Sequence, residues 1–296
     1  MLDSGSGRWE IRIDQKKWVY PNLPTEVVKP SQHPSFSRTM IDQVSTIFPH
    51  KYSESELKTF SEQLFKLHCK IFAGVDKEAF EHYVVKSPAS FTKIRILKSK
   101  GIWVGYVAVH YFTVHLEGRG IVVLRGEIGV LREYRKQINA TKIVIHEALR
   151  CKLKNIGKKV MVLGCFVNPV MYYALAKLLY EIYPNYRRPT PIAVIRLMEK
   201  LAGIFHLEKV NEENPFVRRV GWQVREQLDE HRAAAHSNKS EILFFIQQNP
   251  CYNKGYGLEI IAPVTFANLF ISFYNSIIVQ LKPQWRYFKN LFEVSA

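Results

Sequence analysis

Between Gly126 and Ala140 the chain reads Gly-Glu-Ile-Gly-Val-Leu-Arg-Glu-Tyr-Arg-Lys-Gln-Ile-Asn-Ala, and an amphipathic run begins at Thr141. A strand that gives way to a basic loop and then a helix makes an anion site. The first turn of a helix has unpaired N–H groups, and its dipole presents a positive end, which suits a pyrophosphate. Arg132, Arg135 and Lys136 would add charge-assisted hydrogen bonds to phosphate oxygens. The segment Leu131 to Thr141, including Gln137, Ile138, Asn139 and Ala140, is therefore the expected contact for a phosphorylated ligand. A second chemical landmark is Asn168, which follows an apolar run and precedes Pro169.

The elements that must hold these residues can be read from periodicity. Ser53 followed by Glu56 has the form of a capping box, and apolar residues recur at helical spacing from Leu57 to Ile71. A second helix is expected over Asp76 to Val85. Lys93 to Lys98, Ile102 to Leu116 and Ile121 to Val130 read as three strands joined by Ser-Lys-Gly and Gly-Arg-Gly turns, an antiparallel meander. Thr141 to Lys154 reads as a helix stopped at Gly157, and Val160 to Val167 as a strand covered on both faces. Pro169 opens a helix expected to run to Tyr183. Beyond it, helices are expected at Ile192 to Leu201 and Val217 to Ala235, a strand at Glu241 to Gln247, and a final helix in the uncharged stretch Ile260 to Leu281, shortened by Pro263 to about 264 to 281. Residues 1 to 50, with five prolines, read as an irregular arm, residues 51 to 185 as a core, and 186 to 296 as an extension.

This order, with the loop Arg135 to Ala140 and the segment Asn168 to Leu178, resembles the GNAT superfamily of N-acyltransferases. The family's loop follows roughly R/Q-x-x-G-x-G/A. Arg135 matches its opening position and Ala140 its closing one, and Ile138 stands where the family has glycine. The resemblance implies an α+β, GNAT-like acyl-CoA N-acyltransferase fold with a mixed sheet. In that fold one strand splays from its neighbour, and the pantetheine arm of CoA lies in the gap.

The reaction implied is transfer of an acyl group, most simply acetyl, from acyl-CoA to an amine. A protonated amine requires a base, the developing oxyanion a backbone donor, and the departing thiolate a proton. By resemblance Glu127 occupies the base position, with Gly126 and Gly129 expected to leave room for substrate. The family's tyrosine acid falls at Leu175 here, so Tyr172 and Tyr173 are the substitutes, and Asn168 joins the cofactor contacts. His110 and His115 lie five apart on one strand and face opposite sides, so one of them can face this site. A GNAT-like acyl-CoA binder without turnover is the alternative, and a basic nucleic-acid binder a third reading.

The composition agrees with a phosphorylated partner. Net charge is +16, and Arg132 to Lys159 holds nine Lys/Arg against Glu133 and Glu147, a local net of +7. Such an excess favours anionic partners. Cysteines 69, 151, 165 and 251 are far apart with no C-x-x-C pair, which argues for free thiols in a reducing cytoplasm and against a zinc site. The N-terminus has no apolar run behind a basic start, so no secretory signal is expected. Residues 264 to 281 are long and apolar enough to raise the question of membrane contact. A polar stripe of Asn268, Ser272, Asn275, Ser276 and Gln280 favours burial against protein, with an interfacial membrane helix as the alternative and a span least favoured.

Overall fold

The computed structural model describes residues 40–225, 234 and 236–278. Its centre is a seven-stranded mixed sheet built from β1 (Gln43–Ile47), β3 (Phe91–Ser99), β4 (Ile102–Leu116), β5 (Arg119–Val130), β6 (Lys159–Phe166), β9 (Tyr256–Pro263) and β7 (Val217–Arg219), in that spatial order. Every neighbouring pair is antiparallel except β5 and β6. A two-stranded ribbon joins β2 (Phe72–Ala73) to β8 (Gln223–Val224). The meander is as the alternation predicts, and part of the expected arm forms the edge strand β1.

Helices cover both faces, the α+β arrangement. On one face lie α1 (Glu54–Ile71), α2 (Lys77–Phe80) with a π-helical continuation to Val85, and α5 (Ile192–Ile204). Leu64, Leu67, Phe80 and Val84 pack there on Ile94, Ile96, Tyr106 and Ala108, while Met198 and Leu201 pack on Val123, Leu163 and Ile261. Ser53 and Glu56 close the capping box: Glu56 Oε2 accepts from Ser53 N at 2.9 Å, and Ser53 Oγ accepts from Glu56 N at 3.4 Å. On the other face lie α3 (Ala140–Lys154), α4 (Pro169–Ala176), α6 (Ser240–Gln248) and α7 (residues 266–278).

A buried charge cluster ties α3 to the sheet. Glu147 of α3 accepts from Lys93 Nζ at 2.6 Å and from Arg95 Nη2 at 2.7 Å. Burial pushes the Glu147 carboxyl up, but the two cations outweigh it and hold it below the usual carboxylate range. Gly157 then ends the helical segment at φ +86°, a left-handed conformation that glycine adopts without strain.

Three expectations are corrected. The helix opened by Pro169 ends at Ala176, and Tyr183 instead bridges to Ile261 of β9. Val217 starts a strand, because it and Arg218 pair with β9; residues 226–233 and 235 of that expected helix lie outside the described residues. Glu241 to Gln247 is helical. A short apolar run fits either period, and here Ile242 and Phe245, three apart, are the buried positions. Ahead of the final helix, Ile260 to Pro263 completes β9 beside β6.

In α7 the polar stripe faces inward. Asn268 Oδ1 accepts from Tyr180 N and Glu181 N at 3.2 and 3.0 Å, and Asn268 Nδ2 donates to Glu181 O and Pro263 O, both at 2.9 Å. Ser272 Oγ donates to Asn268 O, and Asn275 Nδ2 to Leu178 O at 2.9 Å. Ser276 lies on the same helix, and Gln280 lies outside the described residues. Among the described residues no helix is long and apolar enough to cross a membrane.

Candidate active site

The parallel pair holds only over Ile121 to Leu124 of β5 and Lys159 to Val162 of β6. Beyond it β5 stays with β4 as far as Val130, and β6 stays with β9 as far as Phe166. The two strands therefore part after Leu124 and Val162, the splay that the resemblance implies. Leu131 N donates to Val104 O at 2.9 Å on the β4 side. Backbone groups of a strand alternate in direction, so the N–H groups of Ile128 and Val130 point to the side that β6 has left. Arg135 Nε donates to Val130 O at 3.2 Å on that side.

At the end of this gap the chain turns into α3. Tyr134 and Ile138 pack with Leu97, Val104 and Val130, which seats the loop against the sheet. Asn139 is the N-cap, its Oδ1 accepting from Lys142 N at 2.9 Å. Gln137 Oε1 accepts from Ile41 N at 2.9 Å, so this side chain ties down the segment before β1. Leu131, Arg132, Arg135 and Ala140 are half-buried, Lys136 and Asn139 are exposed, and Thr141 is buried. The residues expected to meet a pyrophosphate are thus gathered at one helix start. Asn168 caps α4 through Val170 N at 2.8 Å.

Glu127 sits on β5, nine-tenths buried, on the face covered by α1 and α2. Across the sheet its register partner is Ala108, small enough to leave the carboxylate room, and His110 is its diagonal neighbour. His110 Nε2 lies 3.1 Å from Glu127 Oε2, and His110 Nδ1 lies 3.1 Å from Thr92 Oγ1. A carboxylate only accepts, so Nε2–H donates to Glu127. With a neutral imidazole, Nδ1 then accepts from the Thr92 hydroxyl. Glu127 Oε1 is buried with no hydrogen-bond partner among the described residues. Buried carboxylate oxygens are rarely left so, and the exception marks a candidate contact for a ligand.

Arg125, two residues earlier on the same face, donates from Nη2 to Tyr83 OH at 2.7 Å and stacks on the Phe205 ring at 4.6 Å. Burial pushes the Tyr83 hydroxyl well above its usual range, with Arg125 opposing and Glu127 adding to the rise. Further along the sheet Arg218 pairs with Glu259 at 2.5 Å, both buried. Burial pushes the Glu259 carboxyl up to about 7 although Arg218 opposes it. Desolvation likewise pushes the Cys165 thiol up to about 12, which leaves it protonated and unsuited to nucleophilic attack.

Several expected site residues have other work. Tyr172 is fully buried and its hydroxyl donates to Pro184 O at 3.1 Å, so the proton an acid would give is committed. Tyr173 OH accepts from Lys177 Nζ at 3.1 Å, and Lys239 lies 4.4 Å over its ring. The space expected at the glycines is filled by the protein. A Cβ on Gly129 would stand 2.6 Å from the Tyr106 ring, and one on Gly126 would stand 2.7 Å from Ala108 O. His110 faces the carboxylate, while His115 is exposed. Arg125, Tyr83 and Thr92 carried no signal in the sequence, since their meeting depends on strand register.

No family model matches the chain, and a search of curated proteins finds no match. Among solved structures it is similar to an aminoglycoside N-acetyltransferase in complex with CoA, at 13% identity over 57% of this chain and 91% of that one, with a TM-score of 0.26. It is also similar to an acetyltransferase from Vibrio fischeri, at 15% identity over 40% of this chain and 93% of that one, with a TM-score of 0.25.

Proposed function

We propose that this chain is an N-acyltransferase that moves an acyl group, most simply acetyl, from acyl-CoA to an amine. The observation that carries the reading is the parting of β5 from β6 after Leu124 and Val162, with the Ile128 and Val130 amides pointing to the side β6 has left and the start of α3 at its end. An extended amide-bearing arm can complete the missing ladder, and its pyrophosphate can rest where Arg132, Arg135, Lys136 and the first turn of α3 converge.

The residues present fit that group. Bound there, acyl-CoA would supply an activated thioester carbonyl. The N–H groups of Ile128 and Val130 are placed to donate to a carbonyl oxygen in the gap, the electrostatic contribution that acyl transfer needs most. Glu127 would take the proton of an incoming ammonium group through its unpartnered Oε1, while His110 holds Oε2. Tyr172 has no part in this reading, and Tyr173 stays a candidate for delivering a proton to the departing thiol.

Calorimetric titration with acetyl-CoA and longer acyl-CoAs tests the proposal. Binding of at least one thioester is expected, weakened about tenfold or more in Arg132→Glu/Lys136→Glu, since each lost charge-assisted contact is worth roughly 1.5–3 kcal/mol. Failure of every CoA thioester to bind would overturn it.

A further inference from the structure

The outward face of α7 is apolar although its inward face is polar, the reverse of an ordinary surface helix. Phe266, Phe270, Phe273, Tyr274 and Ile277 are exposed by 54, 72, 64, 58 and 40%. They recur at spacings that share one side of a helix. The opposite side is fixed by the hydrogen bonds of Asn268, Ser272 and Asn275, so the aromatic side cannot roll inward without breaking them. A contiguous apolar surface of this kind marks an interaction site.

The surface continues onto α3. Lys152 Nζ lies 5.8 Å over the Phe266 ring, and Ala148 packs with Val264 and Leu269, so the two helices are neighbours there. On the α3 segment Leu149, Leu153 and Ile156 are exposed by 37, 51 and 73%. The charges among them are of one sign. Between Lys142 and Lys159 the sole acid, Glu147, is buried and paired with Lys93 and Arg95. Arg150, Lys152, Lys154 and Lys158 therefore have no acidic counterweight on that segment. At the far side, Tyr180 is exposed by 52%, its ring carrying Arg188 at 5.1 Å.

We propose that this face docks the protein on an anionic phospholipid surface, α7 lying in the plane of the interface. The argument is charge complementarity joined to side-chain type. Phe and Ile at the centre have nothing to offer phosphates or bases but gain by entering the acyl boundary. Tyr180 and the Lys/Arg at the rim suit the headgroup level. Each Lys or Arg near an anionic leaflet adds about 1 kcal/mol. The inference stands apart from the acyltransfer reading, and neither needs the other.

The test is co-sedimentation of the full chain with phosphatidylcholine vesicles and with vesicles of phosphatidylcholine and phosphatidylserine in equal parts. Expected are binding to the mixed vesicles, little to phosphatidylcholine alone, and a loss of affinity of about tenfold or more in Phe270→Glu/Phe273→Glu. Lys154→Glu/Lys158→Glu, which keeps every α7 ring and the Lys152–Phe266 contact, is expected to lose a comparable factor and to weaken the salt dependence. Circular dichroism and acetyl-CoA titration of the same variants report on folding and on the other proposal independently. No binding to the mixed vesicles, equal binding to both vesicle types, or variants that bind like the parent would each overturn it. So would light scattering that finds a dimer split by the Phe variants without vesicle binding, or binding to RNA that competes with the vesicles.

Discussion

Glu127 and His110 stand in diagonal register on β5 and β4, with His110 Nε2 3.1 Å from one carboxylate oxygen and the other oxygen buried without a hydrogen-bond partner among the described residues. The bonded oxygen fixes the side chain, and the remaining one is left to act. Replacing Glu127 by Gln keeps the shape and removes the basicity. The variant is expected to bind acetyl-CoA like the parent and to lose about 100-fold or more in turnover, the usual contribution of a positioned base. Release of free thiol during incubation with a panel of amines would measure it, and undiminished turnover would remove Glu127 from the mechanism.

The Lys93–Glu147–Arg95 cluster gives a stability prediction. Truncating one partner of a buried pair leaves a charge poorly compensated, at a cost of about 3–5 kcal/mol. Lys93→Met is expected toward the lower end, because Arg95 still holds Glu147 at 2.7 Å, and Lys93→Met/Arg95→Met toward the upper. Urea unfolding monitored by circular dichroism reads both.

His68 sets an acid limit. Its ring is buried, its Nδ1 shares a 2.9 Å hydrogen bond with Tyr106 OH, and burial pushes it down to about 3 from 6.5. An unfolded chain therefore takes up a proton near pH 6.5 that the folded one refuses until far lower. The stability that follows is complete above about pH 6.5 and is lost as pH falls toward 3, by about 2 kcal/mol at pH 5. Denaturant midpoints of the parent and of His68→Gln at pH 7 and pH 5 are expected to show a smaller fall for the variant.

Asn268 uses its amide group for four hydrogen bonds to backbone atoms around Tyr180, Glu181 and Pro263. Asn268→Leu keeps the volume and strands those partners. A loss of about 4 kcal/mol is expected, counting each unpaired buried group at about 1–3 kcal/mol and allowing some access to water. Limited proteolysis is expected to cut within residues 266–278 of this variant well before the parent.

Local signals in the sequence were good guides where they were local in the protein. The Ser53–Glu56 box, the meander from Phe91 to Val130 and the stop at Gly157 depend on neighbours a few residues away. Glu241 to Gln247 misled because its five-residue apolar run, Ile242 to Ile246, fits two periods. Ile260 to Pro263 went unread as a strand because its partner, β6, lies about a hundred residues back. The site divides in the same way. The loop before α3 could be read directly, whereas Thr92, His110, Arg125 and Tyr83 join Glu127 only through register and the packing of α2. Tyr172 shows the converse, a side chain whose type suggested chemistry and whose burial assigns it to the core.

The early parting of β5 and β6 also has a mechanical side. Below Leu124 and Val162 the two halves of the sheet are laced by a parallel ladder, and above it main-chain bonds no longer hold them together. The sheet is therefore a pair of blades on a short hinge. On the proposed reading, a molecule lying between them would supply the absent rungs. The amide protons of Ile128 and Val130 would then exchange with solvent deuterium quickly in the empty protein and slowly in the loaded one, a clock that runs whether or not any chemistry follows.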